Sequence, residues 1–184
     1  SPEGATFVAD LVELARRCDV VVLSLPDGVA SEQVARGIAA VPDRRTTHVV
    51  DTSTIGVSAA QTIATLLAEA GIGYVDAPVS GGVAGAQART LSVMYAGADG
   101  AGEPVEPVLG GLSGRTRRVG DRPGMGQALK LPRLVSALRS RPPLPACTEH
   151  RLSTAFSSGA TFRETIVWAV VMMCAATSTG STVK

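Results

Sequence analysis

The stretch DAPVSGGVAGAQARTLSVMYAGA, residues 76–98, puts Ser80, Gly81 and Gly82 at the mouth of a strand-like run, and GMGQALK further on brings Lys130 in a glycine-rich setting. Glycines let backbone N–H groups converge on an anion, and a serine hydroxyl adds one more donor. The same tripeptide also reads as a flexible strand-to-helix turn. A lysine one to two turns into a helix can move a proton at a substrate hydroxyl, or it can be an ordinary solvated lysine. LPDG at 25–28 and DTST at 51–54 are equally open when taken alone, since Asp51 could simply cap a turn. Order and spacing have to decide.

The elements that must position these residues alternate along the chain. Positions 6–17 set Phe7, Val8, Leu11, Val12 and Leu14 on one helical stripe. DVVVLSL at 19–25 is apolar until Pro26 ends it, the pattern of a strand buried on both faces. A helix over 29–40, strand THVVDTS, helix GVSAAQTIATLLAEAG, strand GIGYVDAP and strand LSVMYAGA follow, with Ser58 expected as an N-cap and Gly71 as a helix stop. A short helix over 101–112 and an edge strand RTRRVG close the series. Such alternation predicts βαβ units in a doubly wound, Rossmann-type α/β sheet. Ligands of these sheets bind beyond the carboxyl ends of the strands. Here those ends are LPDG, DTST and APVSGG, so chemistry is expected there.

Composition narrows the classes. With 45% hydrophobic residues, 18% charged residues and a net charge of +1, the chain reads as a soluble globular protein. Scattered basic residues and 3% aromatics argue against nucleic-acid binding. Cys18, Cys147 and Cys174 are far apart, with no CxxC and no paired histidines, so neither a disulfide framework nor a metal site is expected. A reducing cytoplasm is the expected location. The longest apolar run, at 165–177, falls short of the ~20 residues that span a bilayer. Trp168, Met172 and Met173 in it read as core, and His48 and His150 as structural or exposed.

From 19 to 131, four signatures in order (DVVVLSLPD, VVDTSTI, DAPVSGGVAGAQARTLSVM and GMGQALKL) resemble the β-hydroxyacid dehydrogenase family. That family includes 3-hydroxyisobutyrate dehydrogenase and tartronate semialdehyde reductase, and shares the NAD(P)-binding domain of 6-phosphogluconate dehydrogenase. The resemblance implies NAD or NADP as cofactor, with Leu25, Pro26 and Thr54 beside it. It implies that Ser80, Gly81 and Gly82 hold the substrate carboxylate, and that Lys130 is the catalytic acid/base. The implied reaction oxidises a small 3-hydroxy acid, such as 3-hydroxyisobutyrate, to its semialdehyde. A glyoxylate or tartronate semialdehyde reductase is the alternative within enzymes. A homo-oligomer is expected if the full-length protein is intact.

Departures from the pattern set further expectations. The family opens with a strand and a GxGxxG-type turn that seats the pyrophosphate; no such motif precedes Asp19, so DVVVLSL is expected at an open sheet edge. Arg89 stands in AQARTL where the family has glycine, a strained choice if that backbone needs a positive φ. Leu134 stands where the family has asparagine, and Pro132 breaks the helix that carries Lys130. The resemblance stops after 131, as it would in a frame-shifted tail. The domains are therefore read as a partial NAD(P)-binding domain over 1–122 and a remnant of a helical domain over 123–184. The rival class is a non-catalytic remnant or pseudogene product. As written, the chain is expected to bind cofactor poorly and catalyse little.

Overall fold

The computed structural model describes residues 7–130. The expectations for Pro132, Leu134, the tail, Cys147, His150, Trp168, Met172, Met173 and Cys174 fall outside them. Capping residues set where the helices begin. Asp10 accepts from Val12 N at 3.1 Å, so α1 runs Leu11–Arg17 and starts later than the apolar stripe predicts. Phe7 stays outside it, 71% exposed. Asp27 accepts from Ala30 N at 2.8 Å and opens α2, Gly28–Ala39. Helix α3, Val57–Glu69, has Gly56 as its N-cap residue with φ 83° and no side-chain cap, so the expected Ser58 cap is not made.

The strands are β1 (Val20–Leu23), β2 (His48–Asp51), β3 (Gly73–Asp76), β4 (Val79–Ser80), β5 (Leu91–Gly97) and β6 (Ser113–Gly120). Helix α4 (Gly82–Gln87) separates β4 from β5, and α5 (Glu106–Leu112) separates β5 from β6. Strands β1, β2 and β3 pair in parallel through α2 and α3 crossovers, as the alternation predicts. Strand β5 is antiparallel to β3, a reversal that the alternation alone does not signal. The reason lies in the short α4, which folds the chain back upon itself. β4 continues the line of β3, and both pair with β5 in one register, Asp76 opposite Ala96 and Ser80 opposite Ser92. β6 lies on the other side of β5. Among the described residues β1 ends the strand order, the open-edge position expected of it.

Period-two alternation sends the core to both faces of the sheet. Val21, Leu23, Val49 and Tyr74 pack with Val34, Ile38, Ile63 and Leu67 from α2 and α3. Val20, Val22, Val50, Val75, Val93 and Tyr95 face the opposite way, onto Val105, Val108 and Leu109. This is the doubly wound α/β arrangement. No helix among the described residues is long and apolar enough to cross a membrane.

Arg89 follows α4 at φ 56°, in the left-handed region, so the expected strain is present. A side chain there costs about 1–2 kcal/mol. Arg89→Gly should therefore raise unfolding stability by about 1 kcal/mol in a urea titration. An unchanged or lower midpoint would remove strain as the reading of this position.

Candidate active site

The carboxyl ends of β1, β2 and β3 are tied into one rim by buried hydrogen bonds. Leu25 N donates to Ser53 Oγ at 2.8 Å, joining the loop after β1 to that after β2. Asp51 does cap a turn: its Oδ1 accepts from Ser53 N at 2.9 Å. Leu25 is itself buried within the core, whereas Pro26 and Thr54 are exposed at the rim.

A helical stretch over 125–130 docks on this rim. Asp76, fully buried at the end of β3, accepts from Gly124 N and from Gln127 N, each at 3.0 Å, and so caps the stretch across 48 residues of sequence. Gln127 is also fully buried. Its Oε1 accepts from Ile55 N at 3.1 Å and Gly56 N at 3.3 Å, and its Nε2 donates to Ser53 O at 3.0 Å. Gln127 thus fixes the two residues that lead into α3. The two glycines of GMG have separate reasons. Gly124 has φ 94°. A Cβ on Gly126 would lie 2.7 Å from Asp76 Oδ2 and 2.8 Å from the Met94 carbonyl oxygen, so only glycine allows this approach.

The result is that Lys130 Nζ donates to the carbonyl oxygen of Val79, the neighbour of Ser80. Lys130 is thus placed beside the turn that begins at Ser80, and Gln127 holds the loop bearing Thr54 against the same helix. Ser80, Gly81 and Gly82 are exposed, with φ of 138° at Gly81 and 62° at Gly82, so both positions need glycine. The turn opens the six-residue α4 instead of leading straight into a strand. Asp76, Gln127 and Ser53 were not singled out in the sequence. A glutamine amid GMGQALK offers a hint, but its partners lie more than 70 residues away.

Burial lowers the Lys130 pKa from its ordinary 10.5, favouring the neutral amine. Burial also pushes the Asp76 carboxyl up to about 6, with the N–H groups of Gly124, Gln127 and Gly126 pulling it back. The folded value exceeds the ordinary 3.8, so the native chain holds the extra proton between about pH 4 and 6. Asp76 then contributes most to stability below about pH 4, and the contribution is lost as pH rises through about 6, by on the order of 3 kcal/mol. Asp51 is raised by burial as well and has the same sign. Melting temperatures taken from pH 4 to 7 should show a decline that Asp76→Asn reduces. Equal slopes in both proteins would contradict this role for Asp76.

The model of the NAD binding domain of 6-phosphogluconate dehydrogenase matches residues 1–120. The chain belongs to this NAD-binding family. The β-hydroxyacid dehydrogenase resemblance stands with it. The chain is 36% identical over 131 residues to 2-(hydroxymethyl)glutarate dehydrogenase of Eubacterium barkeri, covering 70% of this chain and 43% of that one. It is 33% identical over 129 residues to the mitochondrial 3-hydroxyisobutyrate dehydrogenase of Drosophila melanogaster, covering 70% and 40%. The solved 3-hydroxyisobutyrate dehydrogenase of Mycobacterium tuberculosis, with L-serine, superposes with a TM-score of 0.64 at 34% identity, covering 70% of this chain and 44% of that one. The chain thus spans under half the length of the relatives it matches.

The family's cofactor class is a nicotinamide dinucleotide, NAD or NADP. The rim is open to such a group, since Pro26 and Thr54 are exposed at the carboxyl ends of the adjacent parallel strands β1 and β2. Among the described residues no GxGxxG turn lies beside β1 to take the pyrophosphate.

Proposed function

We propose that this protein is an NAD(P)-dependent oxidoreductase of small 3-hydroxy acids, of the type that converts 3-hydroxyisobutyrate to methylmalonate semialdehyde. The observation that carries this reading is the Lys130 ammonium seated on the Val79 carbonyl, next to Ser80 and on the rim that bears Thr54. Leu25 and Pro26 would line the adenosine or ribose side of the cofactor, with Thr54 beside its nicotinamide. The cofactor, when bound, supplies a hydride acceptor at the carbinol carbon. Ser80 Oγ donates to the substrate carboxylate, with the backbone N–H groups of Gly81 and Gly82 as further donors. Neutral Lys130 Nζ accepts the hydroxyl proton as the carbon is oxidised, and in reduction the ammonium returns it. The 2-(hydroxymethyl)glutarate and L-threonate acted on by the relatives share this pairing of carboxylate and hydroxyl.

The test is nicotinamide reduction with NAD⁺ and NADP⁺ over 3-hydroxyisobutyrate, L-threonate and 2-(hydroxymethyl)glutarate. Turnover that Ser80→Ala lowers, mainly through KM, supports the reading. Turnover that neither Ser80→Ala nor Lys130→Met touches contradicts it. The left-handed Arg89 favours a second reading, a non-catalytic relative that keeps the acid-binding turn. Saturable acid binding with no nicotinamide reduction would be its result.

A further inference from the structure

The polar row that crosses the sheet at Ser80 continues past it. Ser80 of β4 lies opposite Ser92 of β5, and Ser92 lies opposite Arg115 of β6. Residues paired in register across adjacent strands share a face. Val79 and Val93, one position along, pack on the α5 side, so Ser80, Ser92 and Arg115 face the other way. That is also the face of Asp76, four positions before Ser80, on which the 124–130 segment is anchored. Lys130 therefore stands over the same end of the sheet as the row.

The Arg115 side chain is exposed and, among the described residues, enters no hydrogen bond or ion pair; the carboxylate that pairs with Arg118, that of Asp99, lies toward the opposite face. Two strand steps put the Ser80 and Arg115 backbones about 10 Å apart. An extended arginine side chain is long enough to cover part of that gap, and the half-buried Ser92 lies between the two positions. A guanidinium is the side chain best matched to a second carboxylate.

We propose that Ser92 and Arg115 extend the Ser80 site, so that it takes small 3-hydroxy acids such as 3-hydroxyisobutyrate and holds those carrying a second anionic group more tightly. Ser80 holds the carboxylate near the reacting hydroxyl, and Arg115 holds the distal one. This rests on the hydroxy-acid reading above and names its substrate class.

The experiment is calorimetric titration of the protein with 2-(hydroxymethyl)glutarate and with 3-hydroxyisobutyrate, in the parent, Arg115→Gln and Arg115→Lys. Position 115 is solvent-exposed on an edge strand, so the substitutions should leave the melting temperature nearly unchanged. Loss of one charge-assisted pair should weaken the dicarboxylate about 10- to 100-fold in Arg115→Gln. Arg115→Lys should recover part of this, and the monocarboxylate should move less than about 2-fold. Equal affinities for the dicarboxylate in parent and Arg115→Gln overturn the extended site, even where 3-hydroxyisobutyrate binds well. Equal weakening of both acids overturns it too, by making Arg115 a general attractor. If neither acid binds the parent, the hydroxy-acid reading itself fails, and this inference with it.

Discussion

Lys130→Met should lower hydroxy-acid turnover by about 10²- to 10⁴-fold, the usual worth of a positioned acid/base. Folding should be little affected, because Val79 is only half-buried and water can replace the ammonium at its carbonyl. Lys130→Arg separates charge from proton transfer. A guanidinium keeps the positive charge and cannot give up its proton near neutral pH. It should therefore restore substrate binding in part and leave turnover low. The sign of the pH dependence follows from the lowered Lys130 pKa. Oxidation needs the neutral amine, so its rate should rise with pH with a midpoint below the ordinary lysine value, while reduction falls over the same interval. Steady-state profiles in both directions check this, and parallel profiles would contradict proton transfer at Lys130.

Gly126→Ala should cost about 2–3 kcal/mol of unfolding free energy and displace Lys130 as well. The added Cβ meets the Asp76 carboxylate at 2.7 Å, the Met94 carbonyl oxygen at 2.8 Å and the Asp76 carbonyl oxygen at 3.0 Å. Two of these are backbone atoms in β3 and β5, which cannot step aside as a flexible side chain can. The 125–130 stretch would have to lift, breaking the bonds from Gly124 N and Gln127 N to Asp76. Gly110→Ala and Gly111→Ala in α5 are the controls. Nothing lies within 4 Å of a Cβ at either exposed position, so alanine should stabilise by up to about 1 kcal/mol. Denaturant titration of the three variants tests opposite signs from one chemical change. A neutral Gly126→Ala would mean that the helix is not held as closely as described.

Much of this was legible beforehand because it is local. Apolar runs such as Val20–Leu23 announce strands buried on both faces, whereas the caps at Asp10 and Asp27, equally local, were not read and the first helix was started too early. The pairing of Lys130 with the Ser80 turn came from the order of whole signatures, since neither residue alone distinguishes a site from a surface. What escaped is long-range. Asp76 in DAPVSGG looks like an ordinary strand-ending acid until Gly124 and Gln127 return to it. Ser58 has the residue type of a cap, yet α3 begins at Val57 and leaves Ser58 inside its first turn, behind a lead-in held by Gln127. The reversal of β5 was hidden for a related reason. Six residues of α4 are too few for the crossover of a parallel strand, and so short a helix of mostly small residues carries no apolar period that marks it in the sequence.

The central claim is that the Ser80–Gly82 turn and Lys130 form one site for a small hydroxy acid. Its most direct test is a titration with 3-hydroxyisobutyrate, following the backbone amide resonances of Gly81 and Gly82 together with the Lys130 side-chain signal. The account predicts that all three move along one saturable curve, and that Ser80→Ala weakens that curve for all of them. Saturable shifts at the turn that leave Lys130 still, or at Lys130 that leave the turn still, would contradict it.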